Sequence, residues 1–300
     1  MHALDIWPKP WQFCFVDDVK MERLRQLLRS YGSCLVAYSG GVDSAFLAKV
    51  AHQELGDRAL AVIADTPSLP RRELEDALAI AREHGFPVRV VKTAEFNNPD
   101  YLSNPANRCY FCKFELFSVL APIARAEGFA TIVYGENASD VGDFRPGAQA
   151  ATEFHVCAPL KEAGLDKADI RAYSAKLGLP TADKPQMACL SSRIPYGEPV
   201  TLEKLQMIEQ AEDFLRDHGF FDVRVRHHEL RPLPEGGVRH LARIEVGPAE
   251  LQKFLSNGLG SQVAEALKKI GYAHVTVDLL GYRRGSVNEA LVKIKTRAGI

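Results

Sequence analysis

Four short apolar runs, Cys34–Tyr38, Ala59–Ala64, Val88–Val91 and Thr131–Tyr134, constrain this chain more than any other feature. Runs this short and continuous suit strands buried on both faces. Between them, apolar residues recur at helical spacing. Phe46, Leu47, Val50, Ala51 and Leu55 follow the first run. Leu74, Ala77, Leu78 and Ala81, closed by Gly85, follow the second, and Cys112 to Glu127, closed by Gly128, precedes the fourth. This alternation predicts an α/β fold, a doubly wound parallel sheet. Ligands of such sheets bind beyond the carboxyl ends of the strands. Ser39-Gly40-Gly41 and Gly135-Glu136-Asn137 both fall at that edge.

The second half reads differently. Gly142 to Pro185 is expected to form loops around one helix, Lys167 to Leu177, closed by Gly178. Tyr196-Gly197-Glu198-Pro199 reads as a linker, which divides the chain into domains 1–197 and 198–300. After it, Thr201 is an N-cap candidate for a helix reaching about Asp217. Strands at Val223–Arg226, Ala242–Val246 and Val275–Val277, with helical segments between, predict a small α+β domain for substrate binding or oligomerisation.

A formal net charge of −1 gives no strong attraction to nucleic acid or to an anionic membrane. No run of about 18 apolar residues offers a membrane span. Met1 to Lys20 has the pattern of neither a signal nor a transit peptide, so a cytoplasmic protein is expected. In that compartment the six cysteines read as thiols or ligands rather than a disulfide framework. Cys14, Cys34 and Cys157 sit among apolar neighbours and read as core. Cys109 and Cys112 form a C-x-x-C pair, and Cys189 lies in a polar, loop-like setting.

Ser39-Gly40-Gly41-Val42-Asp43-Ser44 stands between the first strand and its helix. Glycines there let the backbone approach phosphate oxygens, and the N–H groups of the helix start point at the anion. Ser39 and Ser44 add hydroxyl donors. Asp43 cannot bind phosphate directly, so its natural partner is a Mg²⁺ that bridges phosphates. Neither the lysine of a Walker A loop nor a G-x-G-x-x-G is present.

This loop resembles that of the PP-loop ATP pyrophosphatases, which cleave ATP between its α and β phosphates. The resemblance implies a nucleotide site made of Ser39, Gly40, Gly41, Asp43, Ser44 and Gly135, with adenine near Ala64-Asp65-Thr66. Further motifs narrow it: Asn107-Arg108-Cys109-Tyr110-Phe111-Cys112-Lys113, Gly135-Glu136-Asn137-Ala138-Ser139-Asp140, Arg145-Pro146-Gly147 and Ala188-Cys189-Leu190-Ser191-Ser192-Arg193. Ala242-Arg243-Ile244-Glu245-Val246 and Gly281-Tyr282-Arg283-Arg284-Gly285-Ser286 follow in order. The whole chain is similar to the LarE-type ATP-dependent sulfur transferases. One departure is Glu229 to Arg239, a Pro- and Gly-bearing stretch longer than the family's usual turn. The resemblance implies a small carboxylated substrate, pyridinium-3,5-biscarboxylic acid mononucleotide, adenylated with ATP and Mg²⁺ and converted to a thiocarboxylate for a nickel-pincer cofactor.

The second step needs a sulfur nucleophile, for which Cys189 is the candidate. Ser191, Ser192 and Arg193 beside it offer donors and positive charge that favour a thiolate. Family members with this single cysteine give up its sulfur. The set Cys109, Cys112 and Cys189 goes, in the family, with a [4Fe–4S] cluster whose fourth iron is open. From the residues alone, three thiols with two at C-x-x-C spacing suit such a cluster with an open iron, with zinc, a redox disulfide or plain packing as alternatives. Arg224 and Arg226 alternate along one strand face and are candidates for the substrate phosphate, unless that face is merely solvated. Asp278 and Arg283 join that site only by resemblance. Two rival functions stay open: an ATP-dependent tRNA thiolase, disfavoured by the neutral charge, and a non-catalytic nucleotide-binding iron–sulfur protein. A homo-oligomer is left open too.

Overall fold

The computed structural model describes residues 11–140, 146–186, 188–231 and 237–283. The expectations on the first ten residues, on Arg145, on the middle of the 229–239 stretch and on Arg284-Gly285-Ser286 lie outside them, as does the side chain of Cys14. In chain order the main elements are α1 (Trp11–Tyr31), β1 (Cys34–Tyr38), α2 (Val42–Leu55), β2 (Ala59–Asp65), α3 (Arg71–Glu83), β3 (Val88–Lys92), α4 (Pro99–Leu102), α5 (Arg108–Glu127) and β4 (Thr131–Tyr134). Then come α6 (Pro146–Glu153), α7 (Pro159–Glu162), α8 (Lys167–Lys176), α9 (Leu202–Asp217), β5 (Val223–Leu230), β6 (Arg239–Val246), α10 (Leu259–Ile270) and β7 (Tyr272–Val277).

The first compact unit holds a four-stranded parallel sheet in the order β3-β2-β1-β4. All five residues of the central β1 are buried, the physical meaning of its unbroken apolar run. Leu35, Ala37, Val62 and Ile132 pack with Phe117, Leu120 and Ala124 of α5 and Ala150 and Ala151 of α6. Tyr38 points to the other side, where its hydroxyl donates to the Ala77 carbonyl of α3 at 2.9 Å. Phe46 of α2 stacks on Tyr173 of α8, ring centres 6.1 Å apart. Beyond β4 the backbone of Cys157 continues the ladder: its N–H donates to Ile132 and its carbonyl accepts from Tyr134. Cys34 is buried as expected, whereas Cys157 is only half-buried at this edge.

The second unit holds a three-stranded sheet in the order β5-β6-β7, antiparallel then parallel. Its core joins Met207, Ala211 and Leu215 of α9 and Val263 and Leu267 of α10 to Val223, Val225, Ala242 and Ile244. Thr201 caps α9, accepting from the Lys204 N–H at 3.3 Å. Strands β5 and β6 run longer than their apolar cores, because cross-strand pairing carries the polar residues His228–Leu230 and Arg239–Leu241 along.

The chain divides elsewhere than at a 197/198 linker. The first unit is Met1–Thr66, Arg71–Ala94 and Cys109–Gln186; the second is Pro67–Pro70, Glu95–Arg108 and Met187–Ile300. Hydrogen bonds between sequence-distant segments explain the two insertions. The Leu190 N–H donates to Ser68, that of Gly197 to Asn104 and that of Val200 to Leu102, each at 2.9 Å. The hydroxyls of Ser68, Tyr101 and Ser191 form a buried triangle of 2.5, 2.7 and 2.9 Å. Such long-range polar pairing leaves no mark on local sequence. Among the described residues no helix is long and apolar enough to cross a membrane.

Candidate active site

The Ser39–Ser44 loop links the carboxyl end of β1 to the first turn of α2. Gly40 sits at φ +71°, and a Cβ there would lie 2.6 Å from Cβ of Ala77. Only glycine gives the loop both the left-handed turn and room beneath α3. Gly41 caps α2 with extended backbone and no side-chain partner for the cap. The first N–H groups of α2 receive no side-chain cap from this residue, an arrangement that suits an external anion. The Ser44 hydroxyl donates to the Gly41 carbonyl at 3.1 Å and accepts from the Ser39 N–H at 3.1 Å; the two serine hydroxyls are also 3.1 Å apart. These bonds hold the loop open as a cradle.

Gly135 follows β4, and a Cβ on it would stand 3.1 Å from both Cβ of Asp43 and the Ser44 nitrogen. Its lack of a side chain lets the end of β4 close against the start of α2. A cavity of about 310 Å³ opens there, walled by Ser39, Gly41, Asp43, Ser44, Gly135 and Glu136, with Cys109 and Lys113 opposite. Gly147 of α6 supports that wall, for a Cβ on it would meet Cγ of Lys113 at 3.0 Å. Gly40 and Ala64 are not among the described lining residues; Ala64 lies in β2, in register with Val91 of β3.

Charge in this cavity is arranged in pairs. Lys167, the first residue of α8, donates to Oδ2 of Asp43. Oδ1 of Asp43 is buried without a hydrogen-bond partner. Glu136 accepts from Lys161 at 2.9 Å and from the Tyr134 hydroxyl. The start of α8 is fixed independently: Asp166 and Asp169 form a reciprocal cap, and the N–H of Lys167 donates to Oγ of Ser139 at 3.0 Å. An orphaned, buried carboxylate oxygen facing a phosphate cradle suits a hard divalent cation. Lys113, Lys161 and Lys167 were missed as site residues from sequence, and Glu136 was placed at the ligand edge without a role. Lys113 carried a signal, since it is four residues from Cys109 on one helical face; the other two lysines carried none.

The thiols are distributed over both units. Cys109 is exposed and Cys112 half-buried, one turn apart near the start of α5 in the first unit. Cys189 belongs to the second unit and is half-buried at the entry of the short turn Leu190–Arg193. Among the described residues no group of three His, Cys, Asp or Glu is placed to hold a metal ion.

The turn bearing Cys189 is braced through its backbone. Arg193 is fully buried; it holds both oxygens of Glu212 at 2.8 and 2.9 Å and donates to the carbonyls of Ala188 and Cys189 at 2.6 and 3.1 Å. Ser191 is committed to Ser68 and Tyr101, whereas Arg193, besides bracing this backbone, also interacts electrostatically with Cys189.

Arg224 and Arg226 lie on one face of β5 as expected, yet that face is buried, not solvated. Arg226 is held by Glu245 at 2.7 and 2.9 Å and donates to the Ser192 carbonyl at 3.0 Å. Arg224 donates to Asp222 and to the Val223 carbonyl, and its guanidinium stands 4.7 Å from the Tyr282 ring centre. Burial, together with the nearby charge of Arg193, pulls its pKa down. Arg243 bridges Glu245 and Asp278, and Arg283 reaches Asp278 at 3.8 Å. Despite burial, the Asp278 carboxyl is held below its usual range by the Leu280 N–H and by Arg243.

Comparison with known proteins places the chain among relatives of similar length. An uncharacterized protein of Synechocystis sp. is 44% identical over 92% of this chain and 99% of its own length. The pyridinium-3,5-bisthiocarboxylic acid mononucleotide synthase of Lactiplantibacillus plantarum is 33% identical over 91% of this chain and 95% of its own. A component of the glutamine-hydrolyzing GMP synthase of Pyrococcus furiosus is 24% identical over 70% of this chain and 70% of its own. No protein-family model matches the chain.

Proposed function

Since the chain belongs to the family of pyridinium-3,5-bisthiocarboxylic acid mononucleotide synthase, we propose that it activates a substrate carboxylate with ATP and then transfers sulfur to it. The observation that carries this reading is the cradle around Ser39–Ser44, with its orphaned Asp43 oxygen. A carboxylate is a poor electrophile until its oxygen carries a good leaving group. In the proposed reaction a carboxylate oxygen of the substrate attacks the α-phosphorus of ATP, and the bond to pyrophosphate breaks. Gly41 and Ser44, at the start of α2, receive the departing pyrophosphate. Asp43 would hold a Mg²⁺, which would supply neutralisation of the phosphate charge. The Cys189 thiolate, to which we assign the sulfur, then displaces AMP to form a thioester; loss of the Cα proton with cleavage of the Cβ–Sγ bond leaves dehydroalanine at position 189 and releases the substrate thiocarboxylate. In this reading the second unit serves the phosphate of a mononucleotide substrate through Arg224 and Arg226, which share one face of β5.

Two cysteines one turn apart suit part of an iron–sulfur ligand set, but the described residues gather no trio. Iron analysis of anaerobically prepared protein, with Cys109→Ser as control, separates a cluster-bearing chain from one that uses Cys189 alone.

The reading is tested by product analysis. With Mg-ATP and the carboxylated mononucleotide, wild-type protein is expected to release AMP and pyrophosphate. Asp43→Asn should abolish that release with the melting temperature unchanged. Release of ADP and phosphate by the wild type would overturn the proposal, and tight retention of bulk tRNA on a filter would favour a tRNA thiolase instead.

A further inference from the structure

We propose that Lys167 is a second, mobile cation of the nucleotide site: it neutralises Asp43 while no divalent metal is bound and moves to the pyrophosphate portion of the ligand once the metal arrives. The inference rests on the nucleotide-site reading above and extends it to a residue outside the phosphate loop.

The two oxygens of Asp43 are unequally satisfied. Oδ2 accepts from the ammonium of Lys167, and Oδ1 is buried with no partner. A carboxylate half satisfied in this way is an incomplete metal site. Mg²⁺ coordinates oxygen at about 2.1 Å and demands a near-octahedral shell. A divalent ion on Oδ1 would stand within a few ångströms of an ammonium on Oδ2, and the two charges repel across a partly buried site. The metal therefore displaces the ammonium rather than adding to it.

The displaced ammonium has somewhere to go. About a third of the Lys167 side chain is exposed, so it is not packed in place. Its backbone, by contrast, is pinned by Ser139 and by the reciprocal cap of Asp166 and Asp169. A fixed root and a free tip let the side chain swing without any movement of α8. The nearest strong anion in a liganded site would be the phosphate chain held by the Ser39–Ser44 loop. An ammonium serves phosphate as a compact point charge with three donors. Lys161 stands in a comparable relation to Glu136, 2.9 Å away, but that carboxylate also accepts from Tyr134 and is nine-tenths buried, so its pair stays intact.

The test uses the full chain and two probes that need no turnover. Mn²⁺ binding is followed by electron paramagnetic resonance, and binding of Mg-pyrophosphate by calorimetry. In Lys167→Met, Mn²⁺ should bind the nucleotide-free protein about threefold or more tightly, since its competitor is gone. Mg-pyrophosphate should bind about tenfold or more weakly, the loss of one hydrogen bond between charged groups. Lys167→Arg should restore most of the pyrophosphate affinity. Unchanged pyrophosphate binding in Lys167→Met overturns the inference and leaves the nucleotide site standing. A fall in both affinities also overturns it, because Lys167 would then only shape Asp43. A wild-type chain that binds no pyrophosphate overturns the nucleotide-site reading itself, and this inference with it.

Discussion

The phosphate loop of the first unit and the arginine cluster of the second are both rich in charge, and they handle it in opposite ways. Around Asp43 a carboxylate oxygen is left without a protein partner among the described residues, and the start of α2 has no side-chain cap. Around Arg193 the donors are taken: Nε and both terminal nitrogens reach Glu212, Ala188, Cys189 and Ser192. Buried polar groups left unsatisfied are costly, and they persist where a ligand completes them. Satisfied ones instead lock backbone in place. The difference marks one region as a receptacle and the other as a frame for the turn that carries Cys189.

The sharpest way to break this comparison is to cut the frame. Arg193→Met leaves Glu212 buried with only Arg216 and the Val225 N–H as partners. Losing one member of a buried pair costs about 3–5 kcal/mol. Urea denaturation should show that loss, while pyrophosphate affinity stays within about twofold of wild type. A loss below about 1 kcal/mol, the scale of an exposed pair, would mean that the cluster is not a frame.

A smaller effect is expected from the loop. In Gly40→Ala, a left-handed backbone costs about 1–2 kcal/mol and the overlap with Ala77 adds about 1–3 kcal/mol. Here stability and pyrophosphate binding should fall together, because the strained residue shapes the cradle. Retained affinity with lowered stability would separate the two and weaken the loop's assignment.

The mildest test uses pH. Burial, and then the neighbouring His240, push His227 down to about 3. His227 bonds to the Tyr272 hydroxyl at 3.1 Å and to His240 at 2.9 Å. The unfolded chain takes up that proton near pH 6.5, whereas the folded chain does not. Stability from this group is therefore full above about pH 6.5 and is lost as pH falls from there towards 3, by at most about 1.4 kcal/mol per unit. Between pH 7 and 5 the urea midpoint should drop, and His227→Asn should flatten the slope. An unchanged slope would show that His227 is not the group responsible.

Much of the first unit was legible because its signals are local. The run at Cys34–Tyr38, the helical spacing from Phe46 to Leu55 and the closure at Gly85 each act within a few residues, and β1, α2 and α3 follow them closely. The loop residues Ser39, Gly41, Asp43 and Ser44 were legible for the same reason, and they line the cavity. Lys167 was not, because 124 residues separate it from Asp43. Nor was the burial of Arg224 and Arg226. Alternation placed them on one face of β5, but only Glu245, 19 residues on from Arg226, makes burying that guanidinium tolerable.

By itself, then, the sequence determined the alternation of buried strands and helices, the glycine turn at Gly40 and the caps of α8 and α9. Each depends on backbone preference or on contacts a few residues apart. Tertiary structure alone decided that 67–70 and 95–108 join the second unit, that Lys167 neutralises Asp43 and that Arg193 braces the backbone of Cys189. Those outcomes rest on which desolvated polar groups find partners far along the chain, and that is settled only when the whole chain packs.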